Sequence, residues 1–490
     1  MKNNKKIFIK FLILFILYIK KMSRLINIID PQHFTSTHSC EFRLNKSNVA
    51  YLTNGAYLCL GAHGTNAVVN EVHYNRRAGI AGMVESIRLL NGGDVLAQLD
   101  NAGTWMAWRG LNQDNANARS RKQMSYDSAG ILRFGIDTEG TVDAAYQQVL
   151  TDSESTTQLG SLGETEAVAS VGSMELKSFL KELEVLTVLP TAIFTNLRLE
   201  IRWNTDILKV CKEFTNVADA AVSAIQAVRP LLVIESIDDQ QVISQMIQGM
   251  SQMNFTCIES DRFVLPSIAD GVRTTSSFVL RGFNDKVVNR VLIANTPTGG
   301  ADGFQGIKAR AIAADGSYVD HALDSGALNS LAQNRYTLQC RVNGQSMFTG
   351  RGLGFDESIG GTGAIGGAGY NHRLALTTDT WGDVAICQAG NTVGLVFGMG
   401  GDDTAANNAN YFEGLVQQPE RLFFGSDYTG FRIMDRVSHL EFDITRTGLP
   451  TQNLPIANSE DFNQSINEIV FAEVPKVLQI SGMDYRVSYL

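Results

Sequence analysis

The sequence predicts an all-β protein: two β-sandwiches in tandem, joined by a short helix. Three observations carry this expectation. From residue 38 onward, apolar and polar residues alternate in run after run, the period-two signature of strands with one buried face. The length of 490 residues exceeds one ordinary sandwich and suits two domains of roughly 200–250 residues each. A single amphipathic helical segment, 238–250, lies at the chain midpoint and separates two stretches of strand-like sequence.

Residues 1–21 stand apart. An apolar run from Phe11 to Ile19 is flanked by lysines on both sides. It is shorter than the ~20 apolar residues that span a bilayer, and no small-residue cleavage site follows it. Met22 opens a stretch that reads as an ordinary protein start. Residues 1–21 are therefore read as an upstream extension. The alternative is a signal anchor, in which case Asn45, Asn254 and Asn463 would be glycosylation acceptors. Residues 22–37 are expected to form an N-terminal arm.

The first sandwich is expected over 38–236. Cys40, Phe42 and Leu44 share one face and Glu41, Arg43 and Asn45 the other. Met83–Leu99 reads as strand, turn and strand, with Asn91-Gly92-Gly93-Asp94 at the bend, because Asn-Gly tolerates the positive φ of a tight hairpin. Residues 151–175 are rich in Ser, Thr, Gly and Glu and predict a surface loop. In Leu197–Trp203 the apolar residues Leu197, Leu199, Ile201 and Trp203 alternate with Arg198, Glu200 and Arg202, a half-buried antiparallel strand. Leu231–Ser236 is another strand. The helical linker, 237–252, follows: Val242, Met246 and Met250 recur at helical spacing beside Ile243 and Ile247, behind an acidic start at Asp238 and Asp239.

The second sandwich is expected over 253–490. Val287–Ala294 and Tyr336–Val342 read as strands, the latter ending in an Asn343-Gly344 turn. Val437, Leu440, Phe442 and Ile444 are expected to share one strand. The last stretch, Ile469–Leu490, reads as an apolar strand, a break at Pro475, a second strand, a turn at Ser481–Asp484 and a third strand. A strand this rich in Val, Ile and Tyr must close a sheet, because its free N–H and C=O groups would otherwise recruit other chains. Trp203 and Phe442 are expected in separate cores.

Composition bounds the function. The net charge is −9, which excludes a bulk basic footprint for nucleic acid. The six cysteines (Cys40, Cys59, Cys211, Cys257, Cys340 and Cys387) are widely and irregularly spaced, as for reduced thiols rather than a disulfide framework. Gly361-Thr-Gly363-Ala-Ile-Gly366 fits a phosphate-binding spacing, yet that chemistry needs a strand before and a helix after it, and here glycine-rich loop surrounds it. Asp402 and Asp403 have no further acidic neighbour before Glu413. His63 and His73, near Glu71, lack the spacing of a zinc site. Arg76-Arg77 and Arg119-Ser-Arg121-Lys122 read as solvated loop charge. No catalytic, cofactor or metal site is expected.

Four stretches, in order, resemble a known family: Met83–Leu96 as an early hairpin, Leu231–Gln240 as a closing strand entering a linker helix, and Val437–Ile444 and Val470–Ile480 as final strands. Together they resemble the double jelly-roll major capsid proteins of polinton-like viruses and virophages, and more distantly of nucleocytoplasmic large DNA viruses. The resemblance spans nearly all of 36–490. It implies two tandem eight-stranded jelly-roll β-sandwiches joined by a short helical linker, and a homotrimer with a pseudo-hexameric outline tiling an icosahedral shell. It further implies contacts with neighbouring capsomers, pentons and minor capsid or cement proteins, a place in the virion, no sequence-specific nucleic-acid contact, no cofactor and no enzymatic role. A membrane role enters only if residues 1–21 are retained. The competing expectation is a secreted or surface β-sandwich module that binds carbohydrate or protein.

Overall fold

The computed structural model describes residues 24–65, 72–74, 79–106, 170–204, 211–213, 224–269, 271–297, 310–312, 318–320, 336–348, 352–354, 376–377, 379–381, 428–447, 465–482 and 484–490. Among the described residues, sixteen principal strands build two sandwiches. The first comprises β1 (Arg24–Ile29), β2 (Ser39–Arg43), β3 (Ala50–Thr65), β4 (Val84–Asn91), β5 (Asp94–Asp100), β6 (Ser170–Glu175), β7 (Leu197–Trp203) and β8 (Leu231–Ile237). The second comprises β9 (Gln252–Leu265), β10 (Arg273–Leu280), β11 (Lys286–Pro297), β12 (Tyr336–Val342), β13 (Gln345–Ser346), β14 (Tyr428–Val437), β15 (Leu440–Thr447) and β16 (Ile466–Ser481). A further strand, β17 (Asp484–Tyr489), follows, and α1 (Gln240–Gly249) joins the halves.

In the first half one sheet runs β1-β8-β3-β6 and the other β2-β7-β4-β5. In the second half the sheets run β9-β16-β11-β14 and β10-β15-β12-β13. The order is the same twice: first strand beside last, second beside next-to-last. Such a wrapped antiparallel ribbon is a jelly roll, two sheets closed over one core. Short strands extend the sheets at His33–Thr35, Val188–Pro190, Ala224–Ala227 and Leu353–Gly354.

Alternation places the cores. Phe42, Leu58, Leu89, Leu199 and Ile201 fill the first, with Trp203 at its edge. Phe283, Val291, Phe431, Phe442 and Ile444 fill the second. The Asn91–Asp94 bend is a two-residue hairpin with Gly92 at φ +60°, and Asn343 and Gly344 both take positive φ between β12 and β13. At α1, the Asp239 side chain caps the helix by accepting from the Gln241 and Val242 amides, satisfying two of the N–H groups that every helix start leaves unpaired. Cys40, Cys59, Cys257 and Cys340 are free thiols. Burial holds the Cys40 and Cys340 thiols well above their ordinary range, which keeps them protonated and inert.

The structure departs from the sequence reading at four places. Residues 24–29 are no arm: β1 pairs with β8 from Arg24↔Ile237 to Ile29↔Leu232, so the first sandwich begins there. Within the expected loop at 151–175, Ser170–Glu175 is a strand paired with β3, and the rest lies outside the described residues. Val437 ends β14, and the chain crosses to the other sheet at Ser438 and His439 before β15 begins at Leu440.

Pro475 breaks nothing, because β16 runs through it, paired with Thr256 of β9. On the opposite side of β16, pairing with β11 ends at Glu473 and pairing with β17 begins at Lys476. The Pro475 carbonyl accepts from the Leu490 amide on that side. Its missing N–H therefore falls in the gap between two neighbours, where a strand tolerates proline.

Candidate functional site at the seam between the sandwiches

The second half contains apolar runs with no alternation: Val291-Leu292-Ile293-Ala294 on β11 and Ile469-Val470-Phe471-Ala472 on β16, all buried. Residues of one parity face the second core (Val291, Ile293, Val470, Ala472). Those of the other parity (Leu292, Ala294, Ile469, Phe471) pack with the core of the first sandwich. The β9-β16-β11-β14 sheet is thus covered on both faces, which is why its central strands read as continuous hydrophobic runs.

The first sandwich meets this sheet with the edge strand β5, which runs beside β9, and with the turn at Lys181–Glu184. The Trp105 ring lies 5.3 Å from Phe471 and 5.8 Å from Trp381. Trp381 donates its indole N–H to the Val291 carbonyl at 2.8 Å. Asn101 donates to the Ser260 hydroxyl at 2.9 Å. On β17, the Tyr485 ring packs 5.2 Å from Phe194. Its hydroxyl accepts from Asn91 at 2.9 Å and donates to Asp94 at 2.8 Å, tying the end of the chain to the β4–β5 hairpin.

Charged groups thread the seam in two clusters. Glu473 receives Lys181 of the first sandwich at 2.5 Å and the Arg290 guanidinium at 2.6 and 3.0 Å. Arg290 also stacks 4.1 Å from the Trp381 ring. Burial raises the Glu473 pKa, but the hydrogen bonds from Lys181 and Arg290 outweigh it and hold the carboxyl below its ordinary range.

In the second cluster Glu259 pairs with Lys286 and, at 3.7 Å, with Lys476. Both ammonium groups lie over the Tyr489 ring, at 4.5 and 4.7 Å. Glu182 is fully buried. One of its oxygens accepts from the Gln98 amide at 3.2 Å, and the other has no hydrogen-bond partner in the described structure. Burial pushes this carboxyl up to about 7, against the opposing pull of Lys476.

Magnitudes separate the roles. Burying Phe255, Ile258, Leu292, Phe471 and Leu478 against the first sandwich is worth on the order of 10 kcal/mol at roughly 1.5–3 kcal/mol per side chain. Partly buried ion pairs contribute much less. Apolar contact therefore holds the halves together, and the ion pairs fix their register. The side chains gathered here lock a joint and pair with one another.

Of the residues singled out in the sequence, Glu71, Arg76, Arg77, Arg119, Arg121, Lys122, Gly361, Gly363, Gly366, Asp402, Asp403 and Glu413 lie outside the described residues. His63 sits on β3 opposite Gln226, and His73 lies opposite Lys212 on a separate two-stranded ribbon. Among the described residues no three His, Cys, Asp or Glu side chains gather as a metal site. No described helix is long and apolar enough to cross a membrane. The sequence signals the seam only through the two unalternating apolar runs on β11 and β16.

No protein-family model matches the chain. No curated protein matches it. Solved structures do. PBCV-1 VP54, from a crystal structure fitted into a cryo-EM reconstruction of the virophage Sputnik, superposes with a TM-score of 0.55 at 10% identity, over 96% of this chain and 97% of that one. A quasi-atomic model of the PBCV-1 virus capsid superposes with a TM-score of 0.54 at 9% identity, again over 96% and 97%. These likenesses bear on the fold, and they extend over both sandwiches.

Proposed function

We propose that the chain is a double jelly-roll major capsid protein, which forms homotrimeric capsomers of pseudo-hexagonal outline that tile the icosahedral shell of a DNA virus. One observation carries this reading. The same eight-strand order occurs twice in one chain, and the two copies are locked side by side by an apolar seam. A block of two equivalent sandwiches is a third of a six-membered ring, so three copies close a ring with near six-fold outline from one polypeptide. The likeness to the PBCV-1 capsid over nearly the full length of both chains supports it.

The role is structural, with no turnover of a substrate. Its partners are two further copies, neighbouring capsomers, pentons and minor capsid or cement proteins, and its place is the virion shell. Residues 38–236, joined by β1 from the segment before them, and residues 253–490 form the two jelly rolls, with α1 in the linker between them. The net charge of −9 suits a shell whose genome is neutralised by other, basic proteins.

Size-exclusion chromatography with light scattering on the purified chain, followed by electron microscopy, tests the reading. The expected result is the mass of three chains and particles of pseudo-hexagonal outline. A monomer at every concentration overturns it.

A further inference from the structure

Buried surface joins the two sandwiches, and within it one acid lacks a full set of partners. Glu182 lies in the turn Lys181–Glu184, which packs against β5 of its own sandwich and β9 of the other. Its side chain is fully buried. One oxygen accepts from the Gln98 amide at 3.2 Å, and the other has no hydrogen-bond partner among the described residues. An unpartnered buried oxygen costs free energy when the acid is neutral, and far more when it is charged.

Each element packed around the turn brings its own polar and charged groups. On the turn itself, Lys181 is held by Glu473 across the seam, and Glu184 faces solvent. On the helical turn Leu176–Phe179, Lys177 pairs with Glu175 at 3.3 Å. β3 brings the Thr53 hydroxyl, which donates to the Leu186 carbonyl at 2.7 Å. β5 brings Asp100, which Arg88 holds at 3.0 Å. β9 brings Glu259 and the Cys257 thiol, which burial pushes up to about 12 and so keeps neutral. β16 brings Lys476, 3.7 Å from Glu259. β11 brings Lys286, on the same carboxylate, and Arg290, on Glu473. β17 brings the Tyr489 ring, which both lysines cover. Lys476 is the cation that acts on Glu182, and Glu259 competes for it. A charged Glu182 must therefore take Lys476 from Glu259 or be reached by water, and water comes to this oxygen when the seam parts.

We propose that the seam is a proton-operated joint: with a proton on Glu182 the two sandwiches are held as one unit, and loss of that proton lets the turn Lys181–Glu184 part from β9 and admit water. The inference concerns the single chain and goes beyond the reading under Proposed function. Burial pushes the carboxyl up to about 7 in the closed joint, from an ordinary value of 4.5 that returns once the group meets water. The closed joint thus binds the proton more tightly than the open one. Closure is fully favoured below pH 4.5 and is lost as pH rises through about 7. Between those limits each opening releases one proton, so the ratio of open to closed rises about tenfold per pH unit. Above pH 7 both states are ionised and the ratio levels off.

Hydrogen–deuterium exchange of the full chain between pH 5 and pH 8 tests this, with each rate divided by the intrinsic rate of an unprotected amide. The peptides that report on the joint are 94–100 and 181–186. Strand β15, in the second core and away from the seam, is the reference. Protection of the joint peptides should fall about tenfold per pH unit between pH 5 and 6.5 and level off above pH 7, while β15 stays unchanged. Glu182→Gln cannot ionise and should keep the joint peptides protected to the same degree across the whole range. Should that variant fail to fold, Glu182→Met, also unable to ionise and apolar like the surrounding surface, repeats the measurement.

Constant protection of the joint peptides in the parent chain overturns the inference. The same pH-dependent fall in the Glu182 variant overturns the assignment to Glu182. An equal fall in β15 shows that the proton governs unfolding of the whole chain and overturns the joint. The number of chains in the particle, which tests the capsid reading, bears on none of these outcomes.

Discussion

Lys181 and Glu473 stand 292 residues apart in the chain and meet at 2.5 Å across the seam between the two sandwiches. Glu473 passes the link to Arg290, Arg290 to the face of Trp381, and Trp381 to the edge of Trp105, so a single line of contacts runs from the first sandwich into the second and back. Removing its central member exposes the cost of the arrangement. Glu473→Ala leaves Lys181 and Arg290 facing each other without a counter-ion. The expected loss is about 2–3 kcal/mol, between the ~0–1 of an exposed pair and the 3–5 of a buried one. Lys181→Ala should cost less, because Arg290 still pairs with Glu473. Urea denaturation of both variants checks the order; equal losses would mean that Arg290 does not sustain the carboxylate alone.

Glu182 sets a pH dependence of definite sign. Its folded pKa is pushed above the ordinary value of 4.5 to about 7. The folded protein therefore holds this proton more tightly than the unfolded chain does. The resulting stability is fully present below pH 4.5 and is lost as pH rises through about 7. The amount is on the order of 3 kcal/mol at about 1.4 kcal/mol per pH unit. Glu473, whose pKa is lowered, acts in the opposite sense: its stability is present above the ordinary value and lost as pH falls through the folded one. Glu182→Gln keeps an acceptor for the Gln98 amide and cannot ionise. Its denaturation midpoint should exceed that of the parent at pH 8 and match it near pH 4.5. A parallel offset at both pH values would contradict the assignment.

Gly430 admits no side chain. A Cβ built there would stand 2.7 Å from the indole Nε1 of Trp381. Gly430→Ala must displace Trp381 from its bond to the Val291 carbonyl and from its stacking on Arg290. The expected cost is about 1–3 kcal/mol, with a red-shifted tryptophan emission as the ring gains solvent. Unchanged emission would mean that the backbone, and not Trp381, gives way.

Trp203 and Phe442 lie in different cores, and Phe442 is fully buried. Trp203→Asp and Phe442→Asp should each abolish soluble assembly, since an unpaired charge in either core costs more than the protein's margin of stability. Phe442→Ala should be milder, at about 3–5 kcal/mol. Normal oligomers from both Asp variants would show the strand facing to be wrong.

Local grammar made much of this fold legible. The Leu197–Trp203 alternation became a strand with its four apolar residues buried, and Asn-Gly bends fell where hairpins were expected. The failures have physical causes. Ser170–Glu175 reads Ser-Val-Gly-Ser-Met-Glu, mostly small and polar residues beside the buried Met174, so its strand is imposed by pairing with β3 and not announced by its own residues. Val437 has an odd position that breaks the even spacing of Leu440, Phe442 and Ile444, and that parity break is where the chain changes sheets. Pro475 reads as a stop in the sequence because the gap on one side of β16 is a property of its neighbours, invisible from the residue itself.

The seam was the least legible part. Its charged members, Lys181, Glu182, Glu259, Arg290, Glu473 and Lys476, are scattered over the chain, and pairing between distant positions leaves no local pattern.

β16 lies between β9 and β11, though it is synthesised after both. Until it emerges from the ribosome, the second sandwich has a vacant slot at the middle of one sheet, and the surface that grips the first sandwich does not exist. A chain ending before residue 466 would lack both the centre of that sheet and the Ile469 and Phe471 side chains that pack with the first sandwich. Closure of the second sandwich thus waits on one of the last strands to be made, because only β16 fills the central place between β9 and β11.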